Sequence, residues 1–303
     1  MRAAFAIALI VVSRAWGQTE WPMLPVPSKS ERVVLLEDKR IKESSGLSLS
    51  GRSPSIWWTI NDSGGEPCVF AIDQKGKTRA KVRIRDAANF DWEDIAIGKS
   101  RDGKPVLFVG DIGDNLGIRA SIQVYEIPEP EVSPPGESVE ETLSAAPKLW
   151  RARYPDGKHN AECLLCHPQT RRLYILTKTD DGKCALYAFP EQLESEGSMI
   201  LEKIADLSFP ALIRIGKRPH DNCMTTAADF SPDGFHMLVS TYSSVYEWTI
   251  PERGDVAQAL KQPPVRIEPD LLPQLEGACY DADGRAIWLT SERLPTPLVR
   301  VTR

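Results

Sequence analysis

An all-β fold, a five-bladed β-propeller with six blades as the alternative, is what this sequence predicts, and three observations predict it. Glu43, Glu93, Glu162 and Glu276 each open a short apolar stretch that runs into a turn (ESSGLSLS, EDIAIGKS, ECLLCHPQ and EGACYDAD), and Thr226 opens a fifth, TAADFSPDG. The steps between these positions are 50, 69, 64 and 50 residues. Each stretch is followed by a second, strongly apolar run: SIWWTIND, VLFVGDIGD, LYILTKTDD, MLVSTYSS and AIWLTSER. Self-similarity at such a period, built from short strands, marks propeller blades. The third observation is at the ends. After Glu276 only 27 residues remain, enough for three strands, while a spare strand, ERVVLLEDKRI, precedes Glu43. A ring closed by strands from both termini has no open sheet edge.

The elements follow in order. Residues 1–17, MRAAFAIALIVVSRAWG, have a positive start, an apolar stretch from Ala3 to Val12 and a small-x-small cleavage site at Ala15-Trp16-Gly17. That apolar stretch is too short to span a bilayer, so the segment reads as a secretory signal and the protein as exported, periplasmic or extracellular. Residues 18–30, QTEWPMLPVPSKS, are rich in Pro and Ser and read as a flexible leader to a single propeller domain over 31–303. Blade one uses GLSLS, IWWTI, VFAID and AKVRIR, and blade two uses IAIG, VLFVGD, IQVYEIP and KLWRARY. The acidic, Pro-rich EPEVSPPGESVEETLSAAP within blade two reads as a surface loop of low order. Blade three uses CLLCH, LYILTK, ALYAFP and KIADLSF, with one helical turn in PEQLESEG. Blade four runs from Met224 to about Ile267, with a short helix in DVAQALKQ. Blade five has GACYDA, AIWLTS and PLVRVTR, and Val33 to Ile41 is expected to pair with Leu298 to Thr302.

Removing Arg2 and Arg14 with the signal moves the net charge from −5 to −7. That acidity excludes sequence-independent nucleic-acid binding, which needs a basic face. Without a spanning segment the mature chain has no membrane role, and nothing in it calls for an oligomer, so a monomer is expected. Cys68, Cys163, Cys166, Cys184, Cys223 and Cys279 mostly fall inside strands, where Cys acts as a small hydrophobe. Cys166–Cys184 is the favoured pairing if any disulfide forms. Cys163-Leu164-Leu165-Cys166-His167 matches the c-type haem attachment motif. On an innermost strand, however, the two thiols point to opposite faces, and haem attachment needs both on one side.

In a propeller the innermost strands line the axis, so Glu43, Glu93, Glu162 and Glu276, with Thr226, form a ring. Carboxylates clustered without basic partners repel one another, and oxygen ligands of this kind suit calcium, or magnesium completed by water. Two other readings of the ring stand beside the metal: hydrogen bonds from neighbouring blades to each Glu, and direct substrate binding. A second constellation lies where strand two of blades one and two ends in a polar turn, Asn61-Asp62-Ser63-Gly64-Gly65 and Asp111-Ile112-Gly113-Asp114-Asn115. Asn, Asp and Gly form turns in their own right, but both turns share one register and one channel face with Asp91 and Asp94. Asp62, Asp111 and Asp114 are the base candidates, and Asn61, Asp91, Asp94, Asn115, Arg119 and Thr226 the candidate substrate contacts. Lys42, Arg119, His159, Lys178, His220 and Arg293 are placed to meet an anionic group, with His159 as a general-acid candidate. No G-x-S-x-G, H-E-x-x-H or P-loop occurs.

ESSGL, WTINDSGG, DWEDIA, GDIGDN followed by Arg119 and VYEIPEP, and HNAECLL together resemble a group of uncharacterised exported bacterial β-propeller proteins. The likeness extends over most of the mature chain and is most specific from Glu43 to Pro130. More distantly, the chain resembles the phytase-esterase-like and the strictosidine-synthase or gluconolactonase-type propellers, several of which hold a divalent metal in the channel. The resemblance implies a fold and a site location and brings no established reaction. Two functions remain open. One is metal-dependent hydrolysis of a phosphoester, ester or lactone. The other is a non-enzymatic module binding a glycan or protein over a structural ion or a hydrogen-bonded ring.

Overall fold

The apolar runs become strands because each has something to bury on both faces. The computed structural model describes residues 24–212, 222–251 and 255–302. The signal segment 1–17, the first residues of the leader and His220 lie outside the described residues. Five antiparallel sheets stand in a ring. The first comprises β2 (Ser44–Leu49), β3 (Ile56–Asn61), β4 (Cys68–Asp73) and β5 (Thr78–Arg83). The second comprises β6 (Trp92–Lys99), β7 (Pro105–Asp111), β8 (Ile122–Pro128) and β10 (Lys148–Arg153). The third comprises β11 (Ala161–Cys166), β12 (Leu173–Thr177), β13 (Lys183–Ala188) and β15 (Glu202–Ser208). The fourth comprises β16 (Thr225–Phe230), β17 (His236–Thr241), β18 (Val245–Thr249) and β19 (Val265–Ile267). The fifth comprises β20 (Leu275–Tyr280), β21 (Ala286–Ser291) and β22 (Pro297–Thr302), with β1 (Lys29–Leu35) paired antiparallel to β22.

The hydrophobic core is five cores, one between each pair of neighbouring blades. A blade buries both faces, so strands such as β3 and β12 read as unbroken apolar runs instead of the in–out alternation of a half-exposed sheet. Trp57 of blade one packs against Trp288 of blade five with ring centroids 4.4 Å apart, within the core that joins the first blade to the last. This arrangement explains the thiols too. Cys163 packs between blades three and four and Cys166 between blades two and three, on opposite faces of β11. All six cysteines are buried, and no disulfide joins Cys166 to Cys184.

Several local expectations change. The strand paired with β22 begins at Lys29 and ends at Leu35, so it takes in two residues assigned to the leader and stops well before Ile41. The acidic Pro-rich segment is not featureless: β9 (Glu141–Leu143) adds in parallel to the outer edge of β5. Likewise β14 (Met199–Ile200) adds to β10. Short added strands of this kind cover otherwise open outer edges. PEQLESEG forms bends without a helical turn. Among the described residues the only α-helix is α1 (Val256–Ala259), capped by Asp255, whose carboxylate accepts from the Gln258 amide at 2.9 Å. It is far too short to cross a membrane.

Candidate functional site

The mouth of the ring is built by a register slip that recurs in the inner strand of every blade. Ser44, Trp92, Ala161, Thr225 and Leu275 pair with Asn61, Asp111, Thr177, Thr241 and Ser291. In blades two to five the ladder then skips the next residue, Glu93, Glu162, Thr226 or Glu276, whereas in blade one Ser45 still pairs with Ile60 and the skipped residue is Gly46. A bulge bends its strand and re-aims a side chain, and the residues at this level are Ser45, Glu93, Glu162, Thr226 and Glu276. Glu43 does not belong to the level. It sits two residues earlier, in register with Asp91, Asn160, Met224 and Gln274. The carbonyls of Glu43, Asp91, Asn160 and Gln274 accept from the amides of Asp62, Ile112, Lys178 and Glu292 at 3.0, 3.1, 2.9 and 2.9 Å. The Glu43 side chain is 42% exposed and faces Lys42 at 3.3 Å. Ser45 takes its place in the ring and donates to the Glu93 carbonyl at 2.6 Å, tying blade one to blade two.

A second level lies one residue past the end of each second strand: Asp62, Ile112, Lys178, Tyr242 and Glu292. The two levels together enclose a cavity of about 510 Å³ lined by Asp62, Glu93, Glu162, Asp180, Glu276 and Glu292, with Lys178, Tyr242, Asn115, Asn160 and Gln274 among the rest. Tyr242, Asp180, Gln274 and Glu292 were not foreseen from the sequence. The column appears once the second strands are aligned at their last residues, Asn61, Thr177, Thr241 and Ser291, which puts Asp62, Lys178, Tyr242 and Glu292 side by side.

The charges divide the cavity into two halves. On one side Lys178 is bonded to Glu162 at 2.9 Å and donates to Tyr242 Oη at 2.9 Å. Burial lowers the affinity of this amine for its proton, but Glu162 and then Glu276 more than offset that and hold it charged. On the other side the carboxylate oxygens of Asp62, Asp91 and Glu93 lie within 4.8 Å of one another with no base among them. Burial first, then the charges of Glu162 and Asp62, push the Glu93 carboxyl well above the ordinary range. Burial and then Asp62 and Glu162 raise Asp91 to about 6. Burial and then Asp62 and Glu43 raise Glu292 to about 7. Burial raises Glu276 well above its ordinary value, and its Oε2 has no hydrogen-bond partner among the described residues.

The DIGDN loop is largely occupied by its own construction. Asp111 is fully buried, and its Oδ1 accepts from Arg119 Nη1 at 2.6 Å, while Arg119 also bonds the carbonyls of Gly113 and Asp111 at 2.8 and 3.0 Å. The Asp114 carboxylate accepts from the amides of Ile118 and Arg119 at 2.8 and 3.0 Å, as a turn-forming Asp does. Asn61 is engaged with the backbone of Arg40, Lys42 and Glu43. Gly113 stands where any side chain would collide with Glu93 Oε1 and Asp91 Oδ2. His159 does not line the cavity; it bonds Asp156 at 3.0 Å and packs against Tyr154 and Tyr187. Thr226 is buried against Ser240 Oγ at 3.0 Å.

One step below the bulge level stand Gly46, Asp94, Cys163, Ala227 and Gly277, all buried. Four small or apolar residues leave room for one carboxylate. Asp94 fills it, accepting from the amides of Ile95 at 2.8 Å and Leu164 at 2.9 Å. Asp229 lies deeper still and accepts from Phe230 and Tyr280 at 2.9 and 3.0 Å; burial raises its carboxyl to about 7. Asp94 therefore closes the floor of the cavity and ties blades two and three together. No protein-family model and no curated protein matches the chain.

Proposed function

We propose that the axial mouth binds a divalent, calcium-like cation through Asp62, Asp91 and Glu93, in a protein exported by its N-terminal segment. The observation that carries this reading is the acid-rich half of the cavity: three carboxylates converge with no base among them, while nearby Lys178 is committed to Glu162 and Arg119 to Asp111. Their separation fits, because two oxygens about 2.4 Å from one calcium ion are at most about 4.8 Å apart. The orphaned, buried Glu276 Oε2 across the cavity leaves a further acceptor for a ligand. A bound cation supplies polarisation of a substrate oxygen and a more acidic water. Around it, Lys178 orients Glu162, and Glu292, raised to about 7, is suited to moving a proton near neutrality. The reaction class proposed is hydrolysis of an ester, lactone or phosphoester. Likeness to the metal-holding propeller families, and closure of the ring by β1, belong to the same proposal.

The test joins elemental analysis of the purified mature protein to melting curves and an ester, lactone and phosphoester panel. Calcium should raise the melting temperature and chelator lower it; a hundredfold excess of ion over Kd corresponds to about 2.7 kcal/mol. Turnover that disappears with chelator supports the hydrolase. A second reading, a binding module without chemistry, is favoured by the upward shift of the buried Glu93 carboxyl, since a proton taken up there relieves the ring without any ion. Unchanged melting with no metal found decides for that reading.

A further inference from the structure

We infer that the mouth receives a basic side chain from a polypeptide whose neighbouring residues are apolar. This rests on the mouth being a binding site and does not require the cation.

Leaving Leu24 aside, the most exposed large apolar side chains among the described residues are Leu116 at 81%, Phe90 at 67% and Ile118 at 66%. All three come from two loops of blade two, and both loops border the acidic cavity. Phe90 precedes Asp91 of the carboxylate trio, and Leu116 follows Asn115, which lines the cavity. The loops are joined at Asp111, whose Oδ1 accepts from the Asp91 amide at 3.3 Å and from Arg119 at 2.6 Å.

This exposure is built in. The turn carrying Leu116 and Ile118 is pinned by the Gly117 amide on the Asp114 carbonyl at 2.9 Å and by the Ile118 amide on the Asp114 carboxylate at 2.8 Å. Lys158 Nζ, which donates to the Ile118 carbonyl at 3.0 Å, holds it from outside. A rigid turn that presents two large apolar side chains to water is characteristic of a contact surface. The adjoining cavity is strongly acidic and contains the buried, unpartnered Glu276 Oε2. Charge complementarity therefore selects a cation joined to apolar groups. An anionic lipid surface is repelled by the same carboxylates. The lip lies outside the cavity, so the partner is larger than the cavity, as a polypeptide segment is.

The test is fluorescence anisotropy with a short labelled peptide of alternating lysine and leucine. Two control peptides replace lysine with glutamate or leucine with serine. The lysine–leucine peptide should bind, the glutamate form should not, and the serine form should bind at least about tenfold more weakly. Phe90→Ser and Leu116→Ser should each weaken binding by about tenfold, whereas Leu143→Ser and Ile200→Ser, exposed elsewhere, should leave it unchanged. Equal binding to the lip variants, or to the serine peptide, overturns the inference. Phosphatidylcholine vesicles that capture the wild type but not Phe90→Ser overturn it in favour of a lipid surface. Calcium affinity measured on the same variants separates the two readings. Lip-dependent peptide binding without any calcium binding sinks the metal proposal and leaves this one standing.

Discussion

The environment of Glu93 favours its protonated form, so an incoming cation competes there with a proton. Its carboxyl is raised by burial and by Glu162, and Asp91 beside it titrates at about 6. Calcium affinity should therefore fall as the solution is acidified through about pH 6, by roughly tenfold per unit for each proton displaced; isothermal titration at several pH values measures this. The metal-free protein behaves in the opposite sense. Acids raised by folding favour the native state while protonated, and that contribution is lost as pH rises through their folded values. For Glu292 the loss builds from its ordinary value of 4.5 and is nearly complete just above about 7. Glu292→Gln should accordingly raise the metal-free melting temperature at about pH 8 and change little at about pH 5; a difference that persists at the acid end counts against like-charge repulsion as the cause. Glu93→Gln keeps volume and removes a ligand. It should abolish calcium binding with the urea midpoint held, whereas a midpoint loss of about 1–3 kcal/mol at unchanged affinity marks an interblade tie instead. At this scale Glu93, Glu162 and Glu276 were legible because a bulge residue recurs at a fixed place in blades two to five. Glu43 misled because residue identity was matched. The apolar anchor two places on (Leu47, Ile95, Leu164, Ala228 and Ala278) identifies Ser45 as its counterpart.

The DIGDN turn shows what an element adds to its residues. Gly113 lets the loop pass close to Asp91 and Glu93, and a methyl there would strike both carboxylates. Gly113→Ala should cost about 1–3 kcal/mol through forced displacement. Because the displaced groups are the proposed ligands, calcium affinity should fall with it, which calorimetry and a melting curve on one sample test together. The blade strands could be read from sequence because paired apolar runs, such as IWWTIN and LYILT, recur after each inner strand. The edge additions β9 and β14 could not. A two- or three-residue parallel strand has no periodicity to detect, and in β9 all three side chains are exposed. Asp114 and Arg119 share the composition of a functional loop, yet their hydrogen bonds are spent on holding the turn, a distinction only geometry makes.

At the scale of the whole ring, stability lies between blades. Trp57→Ala empties the contact with Trp288 where the first blade meets the last, and should cost about 3–5 kcal/mol by urea denaturation. Removing the chain through Leu35 strips β22 of its partner, and should lower the melting temperature and promote association through the bared edge. The ring and its five blades were legible because the repeat carries long-range order in a local pattern. The half-neutralised mouth was not, since Lys178, Tyr242 and Glu292 come from three different blades and meet only when the circle forms. Asp94 adds a consequence for traffic. With the floor shut by its carboxylate, the tunnel is a well with one door. Whatever enters must back out the same way before the next arrives, and no polymer can be threaded through. A long partner can offer this site only a tip or a single protruding group.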